Sequence, residues 1–224
     1  MPYLCAENKM PINMEREIIS NSRKPVEVKL TLIAKNGKFG FADESGAEVI
    51  PCQWKDARMF TEGLVAVQND QGDWGFIDKT GETVVPCQWK EALSFSEGLA
   101  AVENEQGRWG FVNQTGEEVI PCRWKDAGPF SEGLSIVQNE QGKWGFIDKT
   151  GVEVVPCQWK DVMWFSEELT KVQNEQGQYG LMDKTGKLVI PCRWKSIKGI
   201  SEGLAMVEDG QGNRDYIELN GQRT

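Results

Sequence analysis

Five glutamates recur at one position of a repeated sequence, and recurring carboxylates are candidates for acid–base catalysis. They are Glu62, Glu97, Glu132, Glu167 and Glu202. Glycoside hydrolysis, for example, needs two carboxyl groups about 5 to 9 Å apart. Successive members here are 35 residues apart in the chain, and each lies in a turn where an acid can accept backbone hydrogen bonds. We therefore predict no catalytic carboxylate pair.

Cysteine is the second reactive residue type, and five of the six cysteines follow the same repeat, whereas Cys5 lies near the start. The five are Cys52, Cys87, Cys122, Cys157 and Cys192. The chain contains no histidine to activate a nucleophile and no Cys-x-x-Cys pair to hold zinc. Equivalent positions on successive modules are too far apart for a disulfide, which needs Cα atoms within about 7 Å. We predict buried free thiols, no metal and no cofactor.

The remaining composition argues against several classes of function. The glycines lack the Gly and Lys-Ser/Thr order that cradles phosphate, so they mark turns. A net charge of -9 argues against nucleic acid, which demands a clustered basic face. No apolar run reaches the roughly 18 residues of a membrane span, and residues 1–10 do not resemble a secretory signal. We expect a non-enzymatic, cytoplasmic protein that binds neither nucleic acid nor membrane.

Tryptophan, proline and glycine keep the same 35-residue period without an insertion. The repeated residues are Trp54, Trp89, Trp124, Trp159 and Trp194; Pro51, Pro86, Pro121, Pro156 and Pro191; and Gly40, Gly75, Gly110, Gly145 and Gly180. A fixed period of about 20–50 residues predicts an array of small modules that share one core. Such arrays commonly present a surface to a partner.

One unit, residues 64–98, contains three strand-forming runs joined by turns at Gly72 and Gly81. The runs occupy residues 64–68, 74–77 and 82–85. We predict a three-stranded antiparallel meander. Gly75, between two aromatic residues, is expected to permit close approach of the neighbouring sheet. Phe95, in the longest connection, is expected to plug the gap between modules.

Six such units fit between residues 28 and 221, the last without its third strand. Residues 1–27 form a leader, in which residues 15–20 resemble the missing strand in composition. We predict that this segment completes the sixth sheet and closes a propeller-like ring, because closure hides sheet edges that invite aggregation. An open solenoid capped by the leader is the alternative. Both are all-β.

The repeated motif Lys-Trp-Gly-Phe-Ile-Asp-Lys-Thr-Gly at residues 143–151, with Val-Val-Pro at 154–156 and Phe-Ser-Glu-Gly-Leu at 130–134, carries a resemblance. It closely resembles the bacterial WG-repeat family, also called KWG repeats, over residues 37–207. The resemblance implies a bacterial source and a repeat scaffold for interaction, without a known catalytic residue. Residues 179–182, Tyr-Gly-Leu-Met, depart from the family pattern, and residues 214–216, Arg-Asp-Tyr, depart from it again in the final copy. The departures imply that the last unit is looser or has a different neighbour.

The repeated tryptophans that follow each Pro-Cys pair allow two interpretations. They could serve as aromatic platforms for sugars or quaternary amines. Alternatively they pack the modules together, which we favour because a tryptophan buries about 150–250 Å² and dominates a small core.

Each repeated Trp-Lys pair is followed by Asp, Glu or Ser and then by three residues that vary between copies. These three residues occupy equivalent loops, which should line one rim of the array. These rim loops are residues 57–59, 92–94, 127–129, 162–164 and 197–199. Drift without selection would explain them, but Met163 and Trp164 together suit an adaptable protein interface. In the same copy Glu168 replaces a glycine, which implies strain if that glycine has a positive φ.

We predict that Met59, Leu93, Met163, Trp164 and Glu168 contact a protein partner. The function indicated is a non-enzymatic binding scaffold. Its acidic charge favours a basic partner, for example a toxin that an immunity protein neutralises. The alternative is a carbohydrate or cell-wall binding module that uses the repeated tryptophans. The sequence leaves the oligomeric state open.

Overall fold

The computed structural model describes residues 29–219, and every regular element in that range is a β-strand. The strands form six successive antiparallel sheets, here called sheets 1 to 6 in chain order. An all-β fold of repeated sheets is therefore confirmed. The predicted closing strand at residues 15–20 lies outside the described residues. Nothing helical within residues 29–219 has the length and apolar character of a membrane-spanning segment.

Sheet 2 shows the complete repeat. Its strands are β4 (Asp56–Ala57), β5 (Leu64–Gln68), β6 (Trp74–Asp78) and β7 (Thr83–Trp89), paired in that order. The prediction of three strands per unit was incomplete, because in sheets 2 to 5 the connection before the meander contains a further two-residue strand that pairs with the meander's first strand. Two residues are too few for side-chain alternation to reveal a strand.

Sheets 3, 4 and 5 repeat the same strand order and strand lengths. Sheet 3 comprises β8 (Glu91–Ala92), β9 (Leu99–Glu103), β10 (Trp109–Asn113) and β11 (Glu118–Trp124). Sheet 4 comprises β12 (Asp126–Ala127), β13 (Leu134–Gln138), β14 (Trp144–Asp148) and β15 (Glu153–Trp159). Sheet 5 comprises β16 (Asp161–Val162), β17 (Leu169–Gln173), β18 (Tyr179–Asp183) and β19 (Leu188–Trp194).

The two end sheets have three described strands each, and they lack opposite members of the repeat. Sheet 1 comprises β1 (Thr31–Lys35), β2 (Lys38–Ala42) and β3 (Glu48–Trp54). Sheet 6 comprises β20 (Ser196–Ser201), β21 (Leu204–Glu208) and β22 (Arg214–Glu218). Among the described residues, sheet 1 has no counterpart of β4 and sheet 6 has none of β7.

Tight turns with an acidic or amide residue at the first position connect the strands. In sheet 2, Asp78 Oδ1 accepts hydrogen bonds from Thr80 N (2.8 Å) and Glu82 N (3.0 Å), and Gly81 has φ +87°. The hydrogen bond from the Thr80 hydroxyl is the main reason that the pKa of Asp78 lies below its usual value. Asn113 accepts the same bonds in sheet 3. The Asp-x-Thr-Gly sequence therefore fixes each hairpin locally.

The glycine of each Trp-Gly pair faces a bulge in the next strand of its own sheet. Trp74 pairs with Trp89 and Phe76 with Val85, so β7 carries extra residues opposite Gly75. A Cβ on Gly75 would lie 2.5 Å from Val85 O. The expectation that Gly75 admits a neighbouring sheet was therefore wrong, because the close approach is to β7. Pro86 lies in this bulge, where the strand pairing is interrupted, so the N–H that proline lacks is not needed for a hydrogen bond between the strands.

Adjacent sheets share apolar cores, and a phenylalanine from each connection fills the gap between them. Phe95 is 2% exposed and its ring centroid lies 4.7 Å from that of Phe76 in the preceding sheet. The predicted role of Phe95 as a plug is confirmed. Since β5 and β6 are buried on both faces, each inner sheet depends on its two neighbours.

Candidate functional site

The five repeated glutamates lie in equivalent turns and share one backbone conformation. Each has φ between 51° and 53°, a left-handed conformation that is uncommon for residues other than glycine. Glu62 Oε2 accepts a hydrogen bond from Gly98 N (3.0 Å), and Glu97 Oε2 accepts one from Gly133 N (3.0 Å). These two glutamates thus bond the turn of one sheet to the equivalent turn of the next.

Lysines reinforce these turn contacts. Lys149 Nζ lies 3.1 Å from Glu97 Oε2, and Lys184 Nζ lies 2.9 Å from Glu132 Oε2. Burial acts to raise the pKa of Glu97, but the hydrogen bonds from Lys149 and the Gly133 amide outweigh it, so that pKa is lowered. A carboxylate held ionised in this way is unsuited to act as a general acid at neutral pH.

The repeated tryptophans belong to the core. Trp89, Trp124, Trp159 and Trp194 are between 4% and 9% exposed, while Trp54 is partly buried. In sheet 2, Trp89 lies opposite Trp74 across the strand pair and joins the same core cluster. Buried ring faces cannot stack against a sugar, so this arrangement disfavours the platform interpretation.

The five repeated cysteines are free thiols, as predicted, but they are half-buried and not fully buried. In sheets 1 to 4 the thiol donates to a carbonyl of its own sheet, as Cys87 Sγ does to Val67 O at 3.9 Å. Burial raises the pKa of Cys122 and of Cys157 to about 12. These two cysteines stay protonated at neutral pH and are poor nucleophiles. Within residues 29–219 no group of three or more candidate metal ligands comes together.

The rim loops fit together in pairs along the array. Ser94 faces the same cleft as Arg58, Trp164 lies against Gly128, and Gly199 faces the same cavity as Met163. A Cβ on Gly128 would lie 2.5 Å from Trp164 Cη2, so the indole packs where any larger residue would clash. In these three cases the middle residue of one loop contacts the last residue of the next loop or lines the same cleft.

The structure separates the five predicted contact residues. Met163 is 50% exposed and Trp164 is 43% exposed, and the two lie together on the rim loop of sheet 5. Met59, 61% exposed, lies on the rim loop of sheet 2. Leu93 is half-buried against the core between sheets 3 and 4. Glu168 follows Trp164 closely in sequence but does not line the cavity beside it.

Glu168 adopts a φ of 69°. Three glycines at the same position of equivalent turns, Gly63, Gly98 and Gly133, have φ between 82° and 87°. The predicted backbone strain is therefore present. Its carboxylate accepts a hydrogen bond from Lys184 Nζ at 2.8 Å, and Lys184 also pairs with Glu132. Glu168 thus joins the lysine contact between sheets 4 and 5.

Met163 and Trp164 open onto a cavity of about 390 Å³ between sheets 5 and 6. Its apolar wall is formed by Met163, Trp164, Leu169, Leu181, Ile197 and Ile200. Sequence reasoning missed Leu181 and Ile200. The available signal was that Ile200 occupies the position of Phe95 and its equivalents, the only one of the five copies without phenylalanine there.

Charged groups of both signs lie near Trp164. On its other side Trp164 lines a second cleft of about 250 Å³ with Asp126 and Asp161. Glu167 lies at the larger cavity, whose two lysines already have partners: Lys171 Nζ donates to Ile197 O at 3.0 Å, and Lys198 Nζ pairs with Glu208. A basic group on a ligand would therefore meet acids only in the smaller cleft, at Asp126 and Asp161, because the larger cavity is lined by two lysines and one glutamate.

A family model described as a WG containing repeat matches the chain five times, over more than half of its 224 residues. The matches span residues 39–71, 74–106, 109–144, 144–176 and 179–211. No curated protein sequence gives a significant match.

Several solved structures show a distant similarity. Kluyveromyces lactis Hsv2 with its complete loop 6CD is 12% identical, with a TM-score of 0.48 over 85% of this chain and 70% of that one. BamB from Moraxella catarrhalis is 14% identical, with a TM-score of 0.45 over 89% and 73%. The WD40 β-propeller domain of Doa1 is 13% identical, with a TM-score of 0.36 over 82% and 72%.

Proposed function

The chain belongs to the family of WG containing repeats, and on that premise we propose that it is a non-enzymatic scaffold that binds another protein. The docking surface in this proposal is the rim loop of sheet 5 together with the cavity beside it. The observation that carries the proposal is the exposure of Met163 (50%) and Trp164 (43%) at the mouth of an apolar cavity. Tryptophan and methionine are enriched in the buried centre of protein interfaces.

The proposed partner is basic. The chain has a net charge of -9, and Asp126, Asp161 and Glu167 surround the exposed Trp164. Complementary charge speeds association and selects among partners. A cytoplasmic immunity protein that neutralises a basic toxin is one form of this proposal, supported by the charge.

We also propose that the six sheets close into a ring. Sheets 1 and 6 lack opposite strands of the repeat, and β22 has an open edge among the described strands. An unpaired strand edge is an aggregation hazard that closure removes. Spin labels carried by non-natural residues at Lys35 and Gly210 would test closure, because their separation in a ring equals that of labels at Lys35 and Asp70 on adjacent sheets. A much longer separation would indicate an open solenoid.

Capture of partners from cells of the source organism tests the binding proposal. Wild type is compared with Trp164→Asp and with Ser94→Asp, a matched control that places the same charge at the equivalent position of sheet 3. The proposal expects a basic protein that is captured by wild type and Ser94→Asp and lost with Trp164→Asp. Equal capture by all three would contradict it. Retention on cell-wall material by all three, with no protein captured, would favour carbohydrate binding.

A further inference from the structure

Four of the five junctions between sheets are closed by the same pair of aromatic rings. The ring centroids in each pair lie 4.7 to 4.9 Å apart. The pairs are Phe41 with Phe60, Phe76 with Phe95, Phe111 with Phe130, and Phe146 with Phe165. Each joins the central strand of one sheet to the connection of the next, so an aromatic plug is a regular part of the repeat.

The junction between sheets 5 and 6 has no such pair. Leu181 and Ile200 occupy the two phenylalanine positions. Ile200 is also turned outward: it is 38% exposed, whereas Phe95 is 2% exposed and Phe130 is 1% exposed. The junction therefore has a buried leucine and a partly exposed isoleucine in place of two aromatic rings.

The backbone of sheet 6 explains the orientation of Ile200. Strand β20 is six residues long, whereas β4 and its other equivalents have two. After a register shift near Lys198, the ladder continues through Ile200, which pairs with Ala205. In the other sheets the phenylalanine lies outside any strand and points into the core. Gly199 adds no side chain, and nothing lies within 4 Å of the position of its Cβ.

The cavity of about 390 Å³ lies at this unplugged junction, because both Leu181 and Ile200 line it. Ile197, which is 4% exposed, fills part of the space where the other rim loops have alanine or valine. The remaining wall is Met163 and Trp164, whose exposure the repeat does not require. A sulfur atom and an indole are favourable neighbours for an aromatic ring.

We infer that this cavity receives an aromatic side chain from a basic segment of the partner, which supplies the plug that the fifth junction lacks. The inference rests on the proposed function and deepens it by naming the anchor. The aromatic residue would lie against Trp164 and Ile200, which are both partly exposed. Neighbouring lysine or arginine residues of the partner would face Asp126 and Asp161 on the other side of Trp164. An aromatic anchor in an apolar pocket is the usual centre of a binding hot spot.

Short peptides provide a direct test. Binding of acetyl-Lys-Phe-Lys-amide to the full chain is measured by saturation-transfer NMR, with acetyl-Lys-Ala-Lys-amide and acetyl-Glu-Phe-Glu-amide alongside. The inference expects saturation of the phenyl protons in the first peptide and weaker binding of the other two. No binding of the first peptide would overturn it, and equal binding of the alanine peptide would also overturn it.

Variants that place a larger side chain in the cavity, with a matched control elsewhere, provide a second test. Ile200→Phe restores the residue of the other four copies and should raise the Kd of acetyl-Lys-Phe-Lys-amide by about tenfold or more. Gly199→Leu fills the same space from an open position and serves if Ile200→Phe does not fold, as judged by thermal unfolding. Val152→Phe adds the same ring at a residue that is 60% exposed and should leave the Kd unchanged.

The same variants separate failure of the inference from failure of the proposed function. A partner captured by Ile200→Phe as well as by wild type, but lost with Trp164→Asp, would overturn the aromatic anchor and leave the docking surface intact. Peptide binding that Ile200→Phe abolishes, without any protein captured by wild type, would support the aromatic pocket and contradict the protein-binding scaffold.

Discussion

The junction between sheets 2 and 3 and the junction between sheets 5 and 6 are built from the same repeat, yet only the first is closed. Phe76 and Phe95 fill the first with two buried rings. At the second, Leu181 and Ile200 leave a cavity of about 390 Å³ that Met163 and Trp164 overlook. Because both junctions share strand order and turns, the difference follows from a few side chains and from the length of β20.

The two junctions allow positions that the copies keep to be compared with positions at which one copy departs. Residues that recur in five copies, such as the turn glutamates and the glycine opposite each bulge, make contacts that the repeat needs. A residue that departs from the repeat does not make the contact that the repeated residue makes in the other copies. Trp164 departs in the rim loop and Ile200 in the plug, and both departures lie at one cavity. The coincidence of the two supports a site there.

The largest expected effect comes from removing a plug at a closed junction. Phe95→Ala should destabilise the protein by about 3–5 kcal/mol, the usual cost of emptying a buried phenylalanine site. Ile200→Ala should cost about 1 kcal/mol or less, because the side chain is 38% exposed. Urea unfolding of both variants measures the difference. Equal losses would show that the fifth junction is packed as tightly as the others.

A smaller loss is expected from the glycine opposite each bulge. Gly75→Ala would place a Cβ 2.5 Å from Val85 O, and the strain should cost about 1–3 kcal/mol or more. Gly199→Ala, with open space around the new atom, should change stability by about 0.5 kcal/mol at most. Thermal unfolding compares the two. A tolerated Gly75→Ala would refute the close contact with β7.

Glu168→Gly is expected to stabilise the protein modestly. It removes the strain of φ 69° and makes the turn of sheet 5 like the others, a gain of about 1 kcal/mol. The exposed contact with Lys184 that it removes is worth about 0–1 kcal/mol, so the net change should be a small rise in Tm. Glu97→Gly is the control and should lower Tm, because it loses the bond to Gly133. A fall in Tm for Glu168→Gly would mean that its lysine contact outweighs the strain.

The smallest expected effect is a change in how the melting temperature depends on pH in acid. Hydrogen bonds from Thr80, Thr150 and Thr185 lower the pKa of Asp78, Asp148 and Asp183 in the folded state. The stability that these aspartates contribute is fully present above their unfolded pKa of 3.8. It is lost as the pH falls through their lower pKa in the folded state. Sheet 3 uses Asn113 in this turn, which does not titrate. Replacing the three aspartates by asparagine should flatten the dependence of Tm on pH below about 4. An unchanged slope would contradict this.

The sequence predicted the parts of the fold that each copy repeats, because periodicity acts as an internal comparison. The role of Phe95 and the positive φ at Glu168 followed from spacing alone. The short strand represented by β4 could not be found, since two residues carry no alternation. Gly75 was assigned to the wrong neighbour because a bulge depends on the pairing register, which the sequence does not display.

The candidate site was only partly predictable. Met163 and Trp164 were found because large apolar residues are unusual in an exposed loop. Leu93 has the same apolar character but is half-buried, since its loop packs against the next one. Ile200 was missed because isoleucine for phenylalanine looks conservative. Only the longer β20 turns its side chain outward and leaves the junction open.

The central claim is that the partner binds at the broken junction, and the Kd of the captured partner tests it most directly. Wild type, Trp164→Asp and Ser94→Asp would be compared by calorimetry at one ionic strength. The account predicts that Trp164→Asp weakens binding about 30-fold or more, the ~2 kcal/mol of a hot-spot residue, and that Ser94→Asp stays within about threefold of wild type. Equal Kd values for the two variants, with both folded, would contradict it.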